Sequence, residues 1–256
     1  MTTETIEEIF ARTLLGDCED EAPWDAVHEL RRIGTREVFN RAAEWCASEE
    51  PLKRARGADI LAQLGKTVEN HANNYPDDCF TVVSSLVETE KESQPLSSAI
   101  HALGHIGDPR AIPLLVRYRT HPIAEVRFAL ACAMGNFSGD ATAANILVHL
   151  SRDEDEDVRD WATFGIGALG VDSPAIRDAL IERLEDSFED VRGEAIAGLA
   201  QLKDDRVLPA LLSALGQPKV PNVIVEGGIE MLGLSESSEA WIPDDCAAEL
   251  RKKYGL

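Results

Sequence analysis

Aromatic side chains make up only 5% of the 256 residues, so any clustering among them stands out. Cysteine is scarce too: five residues (Cys18, Cys46, Cys79, Cys132 and Cys246), an odd number with no C-x-x-C pair. That excludes a disulfide framework and a zinc ribbon, and it fits a reducing compartment. No apolar run approaches the roughly 18 residues needed to span a bilayer. The opening residues, Met-Thr-Thr-Glu-Thr-Ile-Glu-Glu, lack the basic start and apolar stretch of a signal peptide. A cytoplasmic protein is expected. Positive charge is also short: 25 Lys and Arg face 46 Asp and Glu, a net charge of −21. Such a surplus repels nucleic-acid phosphates and anionic lipid, which argues against both as partners. The chain has no P-loop, no G-x-G-x-x-G, no H-E-x-x-H and no Ser-His-Asp constellation. Nothing therefore marks a catalyst, and neither cofactor nor metal is expected. What is present in quantity is aliphatic residues and alanine. At 44% hydrophobic content they suffice for a core and exclude disorder.

Those residues repeat. Glu125-Val126-Arg127, Asp157-Val158-Arg159 and Asp190-Val191-Arg192 each open a run of small and apolar residues at helical spacing. Extending that register gives seven anchors, Pro23, Arg54, Leu96, Arg127, Arg159, Arg192 and Asn222, separated by 31, 42, 31, 32, 33 and 30 residues. The long interval holds residues 66–76, a polar stretch rich in Asn that reads as an inserted loop. A second amphipathic segment precedes each anchor. A unit is thus two antiparallel helices, A then B, which cannot bury their apolar faces alone and must stack. The register predicts one repeat domain over 1–256, with repeats at about 5–34, 36–65, 77–107, 109–138, 140–170, 173–203 and 205–234. Residues 241–254 read as a capping helix. The fold class is all-α, an α-solenoid of about seven such helix pairs.

The Asp-x-x-Val-Arg helix and the Gly107-Asp-Pro-Arg-Ala-Ile-Pro-Leu-Leu115 linker resemble the short HEAT-like repeats of phycobilisome lyases, over residues 5 to 233. The resemblance implies that B helices line a concave face and A helices a convex one. It also raises bilin or other prosthetic-group lyase activity as an alternative function. A di-iron centre of the deoxyhypusine hydroxylase kind would need several His-Glu pairs, and only His28-Glu29 is suitable.

Stacking sets equal register positions side by side, so columns can be read across the B helices. They place Trp24, His28, Arg56, Asp59, His101, His105, Phe128, Trp161 and Phe164 as candidate partner-binding residues. His101 and His105 have a chelating i, i+4 spacing, but no third ligand is evident. Cys132 and His101, one unit apart, could be drawn as a nucleophile and base. Phe128, Trp161 and Phe164 read equally as binding anchors in a groove or as inter-repeat core. Arg54, Arg127, Arg159 and Arg192 read as a structural ladder, bridging to acidic residues of adjacent units.

The negative charge is local. By successive fifties the net charge is −8, −2, +1, −9 and, for the remainder, −3. Asp153, Glu154, Asp155, Glu156 and Asp157, with Glu185, Asp186, Glu189 and Asp190, fall in turns from helix A to helix B and predict an acidic ridge. Acids favour helix N-termini, which explains part of it. A ridge would also steer a basic surface. The function expected is a non-catalytic protein-binding scaffold with a basic protein partner; an inhibitor of a basic toxin or nuclease is a further alternative.

Overall fold

The computed structural model describes residues 4–15, 21–234 and 241–256; Cys18 lies outside them. Among the described residues every regular element is helical, and there is no strand. The chain divides into two compact units, Met1–Phe137 and Ser138–Leu256.

The first unit holds four helix pairs: α1 (Ile6–Arg12) with α2 (Glu21–Ile33), α3 (Arg36–Cys46) with α4 (Pro51–Ala62), α5 (Pro76–Thr89) with α6 (Ser93–Ile106), and α7 (Ile112–Leu115) with α8 (Ala124–Met134). α7 is one turn flanked by 3₁₀ segments; Pro109 and Pro113 each remove an amide that a longer α-helix would need. B helices pack on B helices, α2 on α4, α4 on α6 and α6 on α8. Small residues permit that approach. A Cβ on Gly104 of α6 would lie 2.6 Å from the Ala133 Cα of α8. The core is aliphatic, with Leu30, Ile60, Leu61, Ile100, Leu103 and Leu130 fully buried.

The second unit holds α9 (Ala141–Leu150) with α10 (Glu156–Ala168), α11 (Pro174–Arg183) with α12 (Glu189–Gln201), α13 (Leu208–Leu215) with α14 (Asn222–Leu232), and a closing helix α15 (Pro243–Tyr254). Its B helices stack as in the first unit, α10 on α12 and α12 on α14, while α15 covers α13 and α14. Acidic residues sit in the first turns of α10 and α12, where Asp155 also caps α10 by accepting from the Asp157 and Val158 amides.

Residues 66–75 form an ordered loop held by its asparagines. Asn73 donates to the Leu61 carbonyl at 2.9 Å and Asn74 to that of Gly34 at 2.9 Å. Asn70 donates to Gly65 at 2.8 Å. Gly34 and Gly65, at φ +55 and +82, end their B helices in the left-handed region. A Cβ on Gly65 would fall on the Asn74 side chain, so both the conformation and the contact require glycine.

Candidate functional site

The repeat places one arginine at the fourth position of α4, α8, α10 and α12, above the turn that leads into each helix. Arg54 Nη1 donates to the carbonyls of Ser48 and Glu49, both at 3.0 Å, six and five residues back. Arg159 does the same to Asp153 and Glu154 at 3.0 and 3.2 Å, Arg192 to Asp186 and Ser187 at 2.8 and 3.1 Å. Arg127 reaches His121 at 2.7 Å. These are carbonyls that the end of helix A leaves without intrahelical donors. For Arg54 and Arg159 the other edge of the guanidinium grips the following repeat. Arg54 Nε and Nη2 fork onto Glu90 at 2.5 and 3.0 Å, and Arg159 forks onto Asp186 at 3.0 and 3.1 Å. Burial raises both carboxyls, but the arginine fork and the amides of their own turns outweigh it and hold both below the usual carboxylate range. Arg54 and Arg159 thus link successive repeats, and Asp186 is engaged by such a fork rather than standing in an open ridge.

The B-helix face of the first unit is occupied by a polar network. Arg56 is buried; its Nε donates to the Thr13 carbonyl at 3.0 Å, its Nη1 to Asp59 at 3.2 Å, and its guanidinium lies 4.8 Å from the Trp24 ring centroid. Asp59 is also buried, and desolvation drives its carboxyl upward although Arg56 opposes the shift. Arg31 donates to the Asp59 main-chain carbonyl at 2.9 and 2.7 Å and continues through Gln63 to His105. His105 and His28 are exposed on this face, while His101 is half-buried against Phe128, ring centroids 6.1 Å apart. Burial and neighbouring His105 push His101 down to about 4. Partial desolvation of the ring lowers His28 and His105 as well, helped by Arg31 in both. Burial pushes the Cys132 thiol up to about 12. A thiol held neutral by burial is not an activated nucleophile. Among the described residues no group of three or more His, Cys, Asp or Glu is disposed to hold a metal ion.

The second unit presents a different surface. Trp161 is 43% exposed and Phe164 48%, and their rings meet edge to face with centroids 5.8 Å apart. On α10, Asp157 and Asp160 lie at i, i+4 spacing from Trp161 and Phe164, and Asp190 and Glu194 of α12 lie close to Asp160. Desolvation, then Asp190 and Asp157, raises the Asp160 carboxyl. Its Oδ1 is buried and accepts no hydrogen bond among the described residues. Desolvation, then Asp160 and Asp190, pushes Glu194 up to about 7. Like charges held together in this way are a frequent sign of a functional site. Sequence reasoning singled out Trp161 and Phe164 but missed Asp160 and Glu194. The available signal was acid at nearly the same register, one and two residues past the anchors, in successive B helices. The neighbouring turns expose Glu154, Glu156, Asp157, Glu185, Glu189 and Asp190, while Asp153 and Asp155 are half-buried, accepting backbone amides.

Helix pairs stacked through small residues and stapled by arginines define a protein of the HEAT-repeat class. The HEAT repeat family model matches residues 83–167 and 147–226, and the chain belongs to that family. Protein YibA of Escherichia coli K12 is 29% identical over 231 residues, 88% of this chain and 80% of that protein. The X-ray structure of YibA superposes with a TM-score of 0.70 at 27% identity, covering 96% of this chain and 92% of that one. The alpha subunit of a phycocyanobilin lyase from Thermosynechococcus vestitus is 33% identical over 105 residues, 41% of this chain and 38% of its own. The complex of CpcE and CpcF of phycocyanin lyase from Nostoc, at 14% identity and a TM-score of 0.52 over 99% of this chain and 96% of that one, shares the fold. No helix among the described residues is long and apolar enough to cross a membrane.

Proposed function

We propose that this protein is a cytoplasmic, non-catalytic protein-binding scaffold whose α10–α12 face takes a basic segment of a protein partner. The observation that carries the reading is the exposed Trp161–Phe164 pair on the α10 stretch that also carries Asp157 and Asp160, with Asp190 and Glu194 of α12 close to Asp160. An aromatic face attracts a guanidinium or ammonium group, and a carboxylate beside it completes the recognition. Crowded carboxyls gain most from an arriving cation, because the cation relieves their mutual repulsion. The acidic ridge on the adjoining turns would steer the encounter.

The test is a titration of the tryptophan fluorescence with a short Arg- and Lys-rich peptide. Binding should tighten from pH 6 to pH 8 as Glu194 ionises near 7, weaken with salt, and fall at least about tenfold in Trp161→Ala/Phe164→Ala. Equal affinity in wild type and double variant would sink the proposal. The partial similarity to a phycocyanobilin lyase subunit supports a second reading, prosthetic-group attachment. That reading requires a bilin absorbance band on mixing, which a pure scaffold does not give. Inhibition of a basic nuclease is a special case of the first reading, decided by protection in a nuclease assay.

A further inference from the structure

The ladder follows a rule within this one chain. The carboxylate that receives an arginine fork lies six residues before the next repeat's anchor: Glu90 before Leu96, Asp186 before Arg192. Leu96 offers no fork, and the equivalent position of the next repeat is His121 rather than an acid. Arg192 breaks the rule. Its Nη1 makes the usual two bonds to turn carbonyls, at 2.8 and 3.1 Å. The position that should answer its Nε–Nη2 edge is residue 216, six before Asn222, and it is glycine. The rest of that turn, Gln217-Pro218-Lys219, supplies no acid either. Among the described residues the Nε–Nη2 edge of Arg192 has no acceptor.

Arg192 lines a cavity of about 950 Å³ within the second unit, between α12 and α13 and the turn into α14. Ile196, Pro218 and Ile224 give it an apolar side. Lys219 adds a second cation, whereas Arg206 is already paired with Asp204 and Asp178. Glu185 and Glu189 line the cavity as well, yet neither pairs with Arg192. With Arg206 already paired, Glu185 and Glu189 balance Arg192 and Lys219 in charge, which disfavours a dianion and leaves recognition to the geometry of the fork.

We infer that the Nε–Nη2 edge of Arg192 is a carboxylate receptor, and that it takes an Asp or Glu side chain from an acidic segment of a protein partner, in place of the ladder acid absent at Gly216. The geometry is that of Arg159 on Asp186, two parallel N–H···O bonds to one planar carboxylate. The apolar side of the cavity accommodates the peptide that carries it. This site is opposite in sign to the α10–α12 face and does not depend on it.

The test uses the whole ¹⁵N-labelled protein and the Nε–Hε resonance of Arg192, assigned by its loss in Arg192→Lys. The probes are the blocked tripeptides Ac-Ala-Glu-Ala-NH₂ and Ac-Ala-Gln-Ala-NH₂, with sodium acetate and inorganic phosphate as separate arms. The glutamate peptide should shift the resonance saturably, with a dissociation constant on the order of 1 mM, and the glutamine peptide should not. Gly216→Asp should restore the ladder in cis and weaken peptide binding at least about tenfold. Gly216 has φ −83, and a Cβ there would meet nothing closer than 3.6 Å, so the variant is accommodated. Gly216→Ala, which adds no carboxylate, should bind as wild type does. An unmoved resonance, equal response to both peptides, or undiminished binding by Gly216→Asp would overturn the assignment. So would acetate or phosphate saturating the shift at lower concentration than the peptide.

Discussion

Two and five residues past the anchor, α4 carries Arg56 and Asp59, whereas α10 carries Trp161 and Phe164. In the first unit these positions hold opposite charges, which close on each other, on Thr13 and on Trp24, and are buried. On α10 the same positions hold rings, and among the described residues Asp157, Asp160, Asp190 and Glu194 form no ion pair, while desolvation and neighbouring acids raise Asp160 and Glu194. The register is common to both units; what differs is whether it brings together charges that cancel or charges that repel. A face that cancels internally becomes part of the packing. One that does not keeps its charge for something outside the chain.

The sharpest way to break this contrast is to open the first unit. Arg56→Ala removes the guanidinium that donates to both Asp59 and Thr13, leaving the buried carboxyl without its ion-pair partner. A loss of about 3 kcal/mol is expected in urea unfolding. The folded Asp59 carboxyl is already raised by desolvation and would rise further. Stability contributed by a raised carboxyl is present at low pH and lost as pH climbs through its folded value, so the deficit should deepen from pH 5 to pH 8. A variant within about 0.5 kcal/mol of wild type would show that the network carries no structural weight.

A smaller loss, about 2 kcal/mol, is expected of Arg159→Ala, which removes the fork on Asp186 and two bonds to turn carbonyls. Here the linkage has the opposite sign. Asp186 is held below its ordinary 3.8, so the contribution is present above that pH and disappears as pH falls through the depressed folded value. Wild type and variant should therefore converge in acid. A pH-independent difference would assign the arginine's effect to packing alone.

The helix pairs and the ladder were legible because each rests on local, repeated information. Arg at the fourth helical position meets the carbonyl six residues back in every repeat that has it, whatever the rest of the sequence does. The fate of the inner face was not legible in that way. Asp59 and Phe164 occupy one column; the sequence read Asp59 as a partner-binding residue and Phe164 equally as groove anchor or core. Burial of Asp59 depends on Arg56, Thr13 and Trp24 arriving from other elements, none of which the periodicity specifies. Exposure of Trp161 and Phe164 was open for the same reason, since a one-residue change of register would make them core. Residues 66–76 were legible as an insertion but not as structure; the role of Asn73 and Asn74 in capping Leu61 and Gly34 depends on the loop folding back over the first two B helices.

Removing one charge from the second unit should raise stability, not lower it. The Glu194 carboxyl lies at about 7, against an ordinary 4.5. The unfolded chain therefore releases this proton first, and the folded state loses stability as pH rises between those values. Glu194→Gln takes away the repulsion from Asp160 and Asp190, so it should gain about 1 kcal/mol at pH 8 and nothing at pH 4. A gain of equal size at both pH values would mean that the substitution acts through packing rather than charge.

The smallest expected effect on stability is also the most informative about function. Trp161 and Phe164 keep roughly half of their surface in water, so truncating them gives up little burial that folding had gained. Trp161→Ala/Phe164→Ala should cost less than about 1 kcal/mol, whereas full truncation of buried aromatics costs about 3–5 kcal/mol. The same variant should lose most of its affinity for a basic peptide. Small cost with large loss of binding is the signature of side chains held out for a partner. Were the cost instead above about 2 kcal/mol, the pair would belong to the packing of its own unit, and the contrast with the charge-closed face of α4 would disappear.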